Sequence, residues 1–148
     1  MHPDNQELRL SSVGASMIKR YAGYEIRPTL RPDGVWQIGW GHTGPDVPHS
    51  STASISDEVA QEYFDTDMEK ARLAVAALVT VPLTQNQFDA LTSFIFSEGV
   101  DTFADSHLLT LLNAGDFAET ALYWERLGRE DGAYLRRHEV ARFTAPPA

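Results

Sequence analysis

Two stretches of this 148-residue chain hold side chains suited to moving a proton or gripping a polar ligand. The first runs from Ile18 to Thr43 and carries Glu25, Asp33, Gln37, Trp40 and His42; the second pairs Glu98 with Arg136, Arg137 and Glu139. A carboxylic acid such as Glu25, Asp33 or Glu98 serves general acid or base catalysis when its surroundings bring its pKa towards the working pH. The plainer reading of each is an exposed or ion-paired surface acid. Gln37 offers a donor and an acceptor to a sugar or peptide group but is no nucleophile. Trp36 and Trp40 read as core residues sharing one strand face, although an edge tryptophan can stack on a sugar. His42, after Gly41 at a strand end, reads as an orienting group. The five histidines lack metal-ligand spacing, cysteine is absent, and no phosphate loop or nucleophile elbow occurs. No metal or other cofactor is therefore expected.

These groups need elements to place them. Val13, Met17, Ile18 and Tyr21 recur at helical spacing and predict a helix over 12–22, closed by Gly23 in the left-handed position that ends helices. Pro32-Asp33-Gly34 is turn chemistry, because Pro presets φ, Asp bonds its own backbone and Gly takes positive φ freely. Trp36, Ile38 and Trp40 then alternate with Val35, Gln37 and Gly39 as a returning strand does. The result is a helix, a stop and a β-hairpin.

This stretch resembles the phage-type lysozymes, the muramidase family of tailed-phage endolysins. In that family the helix ends in Glu-Gly, an Asp lies near the hairpin turn, and the strand reads aromatic-Thr-Ile-Gly-aromatic-Gly-His. Here Ala22-Gly23 and Trp36-Gln37-Ile38-Gly39-Trp40-Gly41-His42, with Thr43, fall on the frame. An ungapped alignment puts Ala22 at the family's acid Glu, Arg31 at its Asp and Gln37 at its Thr. The frame is kept and all three catalytic positions are changed. Arg136 and Arg137, with Glu139, resemble the family's Arg-Arg-x-x-Glu-like segment, where an Arg lies near the acid; with that acid gone, Glu98 is the natural new partner. The resemblance covers about 12–143 and extends to the muramidase-like domain of bacterial polar scaffold proteins.

The rest of the chain fits that pattern. Residues 1–11 are polar and read as a leader of poor order. Residues 44–52, rich in Pro, Gly, Ser and Thr, read as an exposed, mobile loop. Ser56 caps a long helix up to Pro82, which in the resembling fold links a small β-lobe, about 23–54, to a helical lobe, about 56–143 packed with helix 12–22. Thr84 with Gln87 is a capping box and Leu83 with Phe88 a hydrophobic staple, opening a central buried helix that stops at Gly99. Ser106 caps a short helix to Gly115. Asp116 with Glu119 caps another to Gly128, Asp131-Gly132 turns the chain, and a last helix spans 134–143 before a Pro-containing tail, 144–148. The implied fold is α+β, mostly helical, a two-lobe lysozyme-like domain.

Composition narrows the functional classes. A hydrophobic content of 43% against 22% charged residues fits one globular domain and excludes disorder. The formal net charge of −9 disfavours nucleic acid and gives no steering towards a polyanionic wall. No segment reads as a signal peptide or a membrane span, so the expected location is cytoplasmic or within a phage virion. The resemblance implies a peptidoglycan glycoside hydrolase cutting the MurNAc-GlcNAc bond, but Ala22 has no proton to give and a positive Arg31 opposes a developing oxocarbenium ion. The reading is a pseudo-muramidase that works by binding, as a scaffold or virion component. Its partner is a protein, a second copy or a peptidoglycan fragment. Gln37, Trp40, His42, Arg136 and Arg137 are the expected groove or partner contacts, and Arg31 with the C-terminal arginines should make the groove positive and favour acidic partners. The alternative is an active muramidase with a relocated acid: Glu98 first, then Glu25 or Asp33.

Overall fold

The computed structural model describes residues 2–50, 52–127 and 133–147. They form two compact units, one of residues 1–15 with 70–148 and one of residues 16–69. The dividing points fall inside α1 (Ser12–Ala22) and α2 (Asp57–Leu78), so neither helix belongs wholly to one unit.

The smaller unit is built on an antiparallel sheet in the order β1 (Glu25–Leu30), β2 (Trp36–Gly39), β3 (His42–Thr43). Leu30 pairs with Trp36 and Thr29 with Gln37, then the register slips before Glu25 meets Gly39. Pro28 lies within the slipped stretch, and having no N–H it cannot complete a ladder. The Pro32-Asp33-Gly34 turn forms as its residues require. Arg31 N donates to Val35 O at 2.8 Å, Gly34 N donates to Arg31 O at 2.9 Å, and Gly34 takes φ 85°. The third strand is a departure from the expected hairpin. Gly39 at φ 63° and Gly41 at φ 70° turn the chain so that Ile38 pairs with His42 and Gln37 with Thr43. Trp40 is consequently in a turn, not on the strand face of Trp36, and both indoles are half-buried while Ile38 alone fills the strand's core position. The loop after β3 is not fully exposed either, since Val47 is buried within it.

The larger unit holds α3 (Gln85–Glu98), α4 (Val100–Ala104), α5 (His107–Asn113), α6 (Phe117–Leu127) and α7 (Ala133–Thr144). The Thr84–Gln87 capping box is present in both directions, and every residue from Phe88 to Ile95 is buried, as expected of a central helix. Phe94 meets Phe103 and Trp124 edge-on, with centroids 6.3 and 5.6 Å away, and Trp124 lies 5.2 Å from Phe143. Ser106 caps α5 and Asp116 caps α6 through Leu109 N and Glu119 N, each at 3.1 Å. Helix α4 was not anticipated, because five residues give no periodic pattern to read. Gly128 and Asp131-Gly132 lie outside the described residues.

The N-terminal segment also differs from the expected leader. Pro3–Glu7 is a 3₁₀ turn that buries Asn5 completely. The Asn5 amide donates to Val81 O at 2.8 Å and accepts from Leu83 N at 3.0 Å, fixing the approach to α3, while Leu8 and Leu10 pack on the core. Buried Asp89 accepts from Ser11 N at 3.1 Å, from Ser11 Oγ and from Gln85 Nε2 at 2.8 Å. Gly14 is forced by this arrangement, since a Cβ there would stand 2.6 Å from Asp89 Cγ. Gly14→Ala is expected to destabilise the fold by about 1–3 kcal/mol through overpacking, against a helix-propensity gain of about 1 kcal/mol at most. A thermal melt with an unchanged or raised midpoint would refute this.

Candidate functional site

The three positions singled out by the resemblance lie in the smaller unit. Ala22 is the last residue of α1 and half-buried; Gly23 follows at φ 72°, its N–H donating to Lys19 O at 3.1 Å. The helix-stop geometry is therefore retained while the side chain is a methyl group. Arg31 lies in the hairpin turn, where Nη2 is 2.9 Å from Asp33 Oδ2, and both side chains are exposed. Asp33 Oδ1 also accepts from Val35 N at 3.1 Å, so this acid serves the turn. Gln37 sits in β2 between Thr29 and Thr43, half-buried, and among the described residues its amide has no side-chain hydrogen bond.

Around α1 the same unit gathers aromatic and charged groups. Lys19 Nζ stands 4.0 Å from the Trp40 ring centroid and 4.8 Å from that of Phe64, and donates to Gln61 Oε1 at 2.7 Å. Tyr24 packs on Trp40 with centroids 4.6 Å apart, and its hydroxyl donates to Asp57. That hydrogen bond raises the Tyr24 phenol above its ordinary value, helped by desolvation and by the charges of Asp57 and Glu58. Trp36 instead stacks on His49, at 5.8 Å. His42 is buried, with Nδ1 2.9 Å from Asp67 Oδ2, Nε2 2.9 Å from Asp46 Oδ1, and its ring stacked at 4.2 Å on Tyr63. His42 thus ties α2 to the loop after β3, an orienting arrangement in keeping with its sequence context.

The larger unit holds a buried ionic cluster. Glu139 is fully buried and accepts from Ser93 Oγ at 2.5 Å, from Trp124 Nε1 at 3.0 Å and from Arg136 Nη1. Burial pushes the Glu139 carboxyl up, and the Arg136 guanidinium and the Ser93 and Trp124 donors hold back part of that rise. Arg136 is itself buried, with Cζ 4.8 Å over the Phe94 ring; Nη2 donates to Ser97 Oγ at 2.8 Å and to Glu98 Oε1 at 2.5 Å. The pairing of Arg136 with Glu98 matches the partner expected for it, while Arg137 is exposed. The expectation of a positive groove is corrected for these residues. Arg31 is offset by Asp33, and Arg136 by Glu98 together with Glu139.

Beside this cluster lies a cavity of about 550 Å³, walled by Phe94, Glu98, Asp105, His107, Tyr123 and Arg136, with Thr102, Ser106 and Leu127. Sequence reasoning missed Asp105, in the turn after α4, His107, at the start of α5, and Tyr123 on α6, which share no motif. It also missed Ser93 and Trp124 as partners of Glu139. Among the described residues, no group of three or more His, Cys, Asp or Glu is placed to hold a metal ion, and no helix is long and apolar enough to cross a membrane.

Comparison with known proteins places these features. The family model "Phage lysozyme" matches residues 19–139. The endolysin of Salmonella phage P22 is 37% identical over 144 residues, covering 92% of this chain and 98% of that protein. Among solved structures, the muramidase domain of SpmX from Asticaccaulis excentricus superposes with a TM-score of 0.81 at 32% identity, covering 95% of this chain and 100% of that one. A P22 lysozyme structure gives 0.78 at 29%, covering 93% and 99%. The mostly helical architecture with a small antiparallel sheet is thus lysozyme-like, as the sequence implied, and the chain belongs to the phage lysozyme family.

Proposed function

We propose that this protein is a catalytically degenerate phage-type lysozyme that acts by binding or assembly, as a scaffold or virion component. The observation that carries the reading is Ala22 at the end of α1. The left-handed Gly23 that frames the family acid is kept, and the side chain at the acid's position has no ionisable group. Loss of general acid catalysis alone costs about 10²–10⁴-fold in rate. Arg31 and Gln37, at the two other altered positions, supply no carboxylate or hydroxyl in compensation. The expected result is that turbidity of suspensions with exposed cell walls falls at least about 10²-fold more slowly than with the P22 endolysin at equal concentration. Clearing at a comparable rate would sink the proposal.

The endolysin relatives favour a second reading, an active muramidase with a relocated acid. Of the acids considered for it, Asp33 is engaged in its turn and Glu98 by Arg136. Glu25 opens β1, is exposed, and has no side-chain partner among the described residues. On that reading Glu25, more than Glu98, is the acid to replace: Glu25→Gln should abolish whatever lysis the wild type has.

A further inference from the structure

The cavity of the larger unit carries an assignment of its own. Arg136 is its sole lysine or arginine among the described lining residues, and that guanidinium is already committed to Glu98 and Glu139. That one guanidinium faces the carboxyls of both Glu98 and Glu139, and Asp105 adds a further carboxyl with no cation of its own in the lining. Among the described residues, the Asp105 carboxylate and the Tyr123 and Thr102 hydroxyls have no hydrogen-bond partner. The two hydroxyls can accept as well as donate, and the Asp105 carboxylate adds acceptor capacity suited to N–H donors and positive charge. Beside it, Tyr123 and His107, with ring centroids 5.0 Å apart in a T-shaped pair, offer aromatic surface to a hydrocarbon stem.

A positive, donor-rich head on an apolar stem is the chemistry of an arginine or lysine side chain. We propose that this cavity docks such a side chain from a partner protein; the inference rests on the binding role proposed above and names its partner chemistry. The formal charge of −9 favours that source over a polyanionic wall polymer, because the same field draws a basic protein segment and repels the polymer. At about 550 Å³ the cavity also has room for a residue flanking the basic one.

The test uses the full chain and three probes followed by amide chemical shifts. These are the peptide acetyl-Leu-Arg-Leu-amide, its citrulline analogue, which keeps the shape without the charge, and a disaccharide-tetrapeptide muropeptide. The arginine peptide is expected to give saturable shifts around Thr102, Ser106, His107 and Tyr123, and the citrulline peptide to bind about tenfold or more weakly. Asp105→Asn, at an exposed helix end, should weaken the arginine peptide by about tenfold while leaving the melting midpoint unchanged. Equal binding of the two peptides, no shifts with either, an unchanged affinity in Asp105→Asn, or shifts at these residues with the muropeptide in place of the arginine peptide would each overturn the proposal. Lysis measured on the same preparation separates the two readings. Lysis together with arginine-peptide binding removes the non-catalytic role and leaves the docking site. Neither lysis nor peptide binding removes the docking site and leaves the non-catalytic role.

Discussion

Replacing Glu139 by leucine is expected to lower the unfolding free energy by about 3–5 kcal/mol, the cost typical of removing one partner from a buried ion pair. Three donors converge on this carboxylate: Ser93 Oγ, Trp124 Nε1 and Arg136 Nη1. Leucine would strand the first two inside the core and leave Arg136 to Glu98, which is half exposed. For a chain of this size each kcal/mol moves Tm by about 2–4 °C, so a fall of roughly 6–20 °C is expected. Glu139→Gln, which retains an acceptor, should lose less. Its pH dependence provides a separate check. Burial raises the folded-state pKa of Glu139 above its unfolded value of about 4.3. The stability linked to this proton is then fully present below the unfolded value and is lost as pH rises through the folded one. Urea unfolding from about pH 4 to about pH 7 should therefore show the wild type losing ground to Glu139→Gln as pH rises. A stability difference that stays constant over that window, or widens in favour of the wild type, would contradict this account.

The second large effect concerns catalysis. Ala22→Glu combined with Arg31→Asp and Gln37→Thr is expected to raise lysis of exposed cell walls by about 10²–10⁴-fold over the parent, the range a positioned general acid supplies. The positions are prepared for this. Ala22 ends α1 against Gly23 at φ 72°, and Gln37 lies in a ladder fixed on both sides by Thr29 and Thr43. Ala22→Glu alone should recover about 10²-fold less than the triple change, because a proton donor without a carboxylate to stabilise the developing cation leaves the larger electrostatic contribution missing. The Arg31–Asp33 pair refines the reason. The hairpin tip is nearly neutral, so the deficit is a missing negative charge and not an unscreened positive one. Full lytic activity from Ala22→Glu alone would show that Arg31 and Gln37 are tolerated, and the proposed non-catalytic role would then lose its foundation.

The sequence by itself determined whatever depends on neighbours along the chain. The stop at Gly23, the Pro32-Asp33-Gly34 turn, the Ser56, Ser106 and Asp116 caps and the Thr84–Gln87 box all formed where their residues place them, because caps and turns are closed by hydrogen bonds within a few positions. The motif frame from Ala22 to Thr43 was local for the same reason, and it was enough to reach the phage lysozyme family. What tertiary structure decided was where charge and polarity are balanced. Composition marked Arg31 and Arg136 as cations; only folding showed the first held by Asp33 and the second divided between Glu98 and Glu139. The polar segment before α1 read as loose because its one decisive contact, Asn5 with Val81 and Leu83, spans more than seventy positions of sequence. Asp105 and His107, at the junction of α4 and α5, line one cavity with Tyr123 of α6. Tyr123 carries no local spacing to that junction, and packing the apolar faces of the surrounding helices around Phe94 and Trp124 is what brings them together.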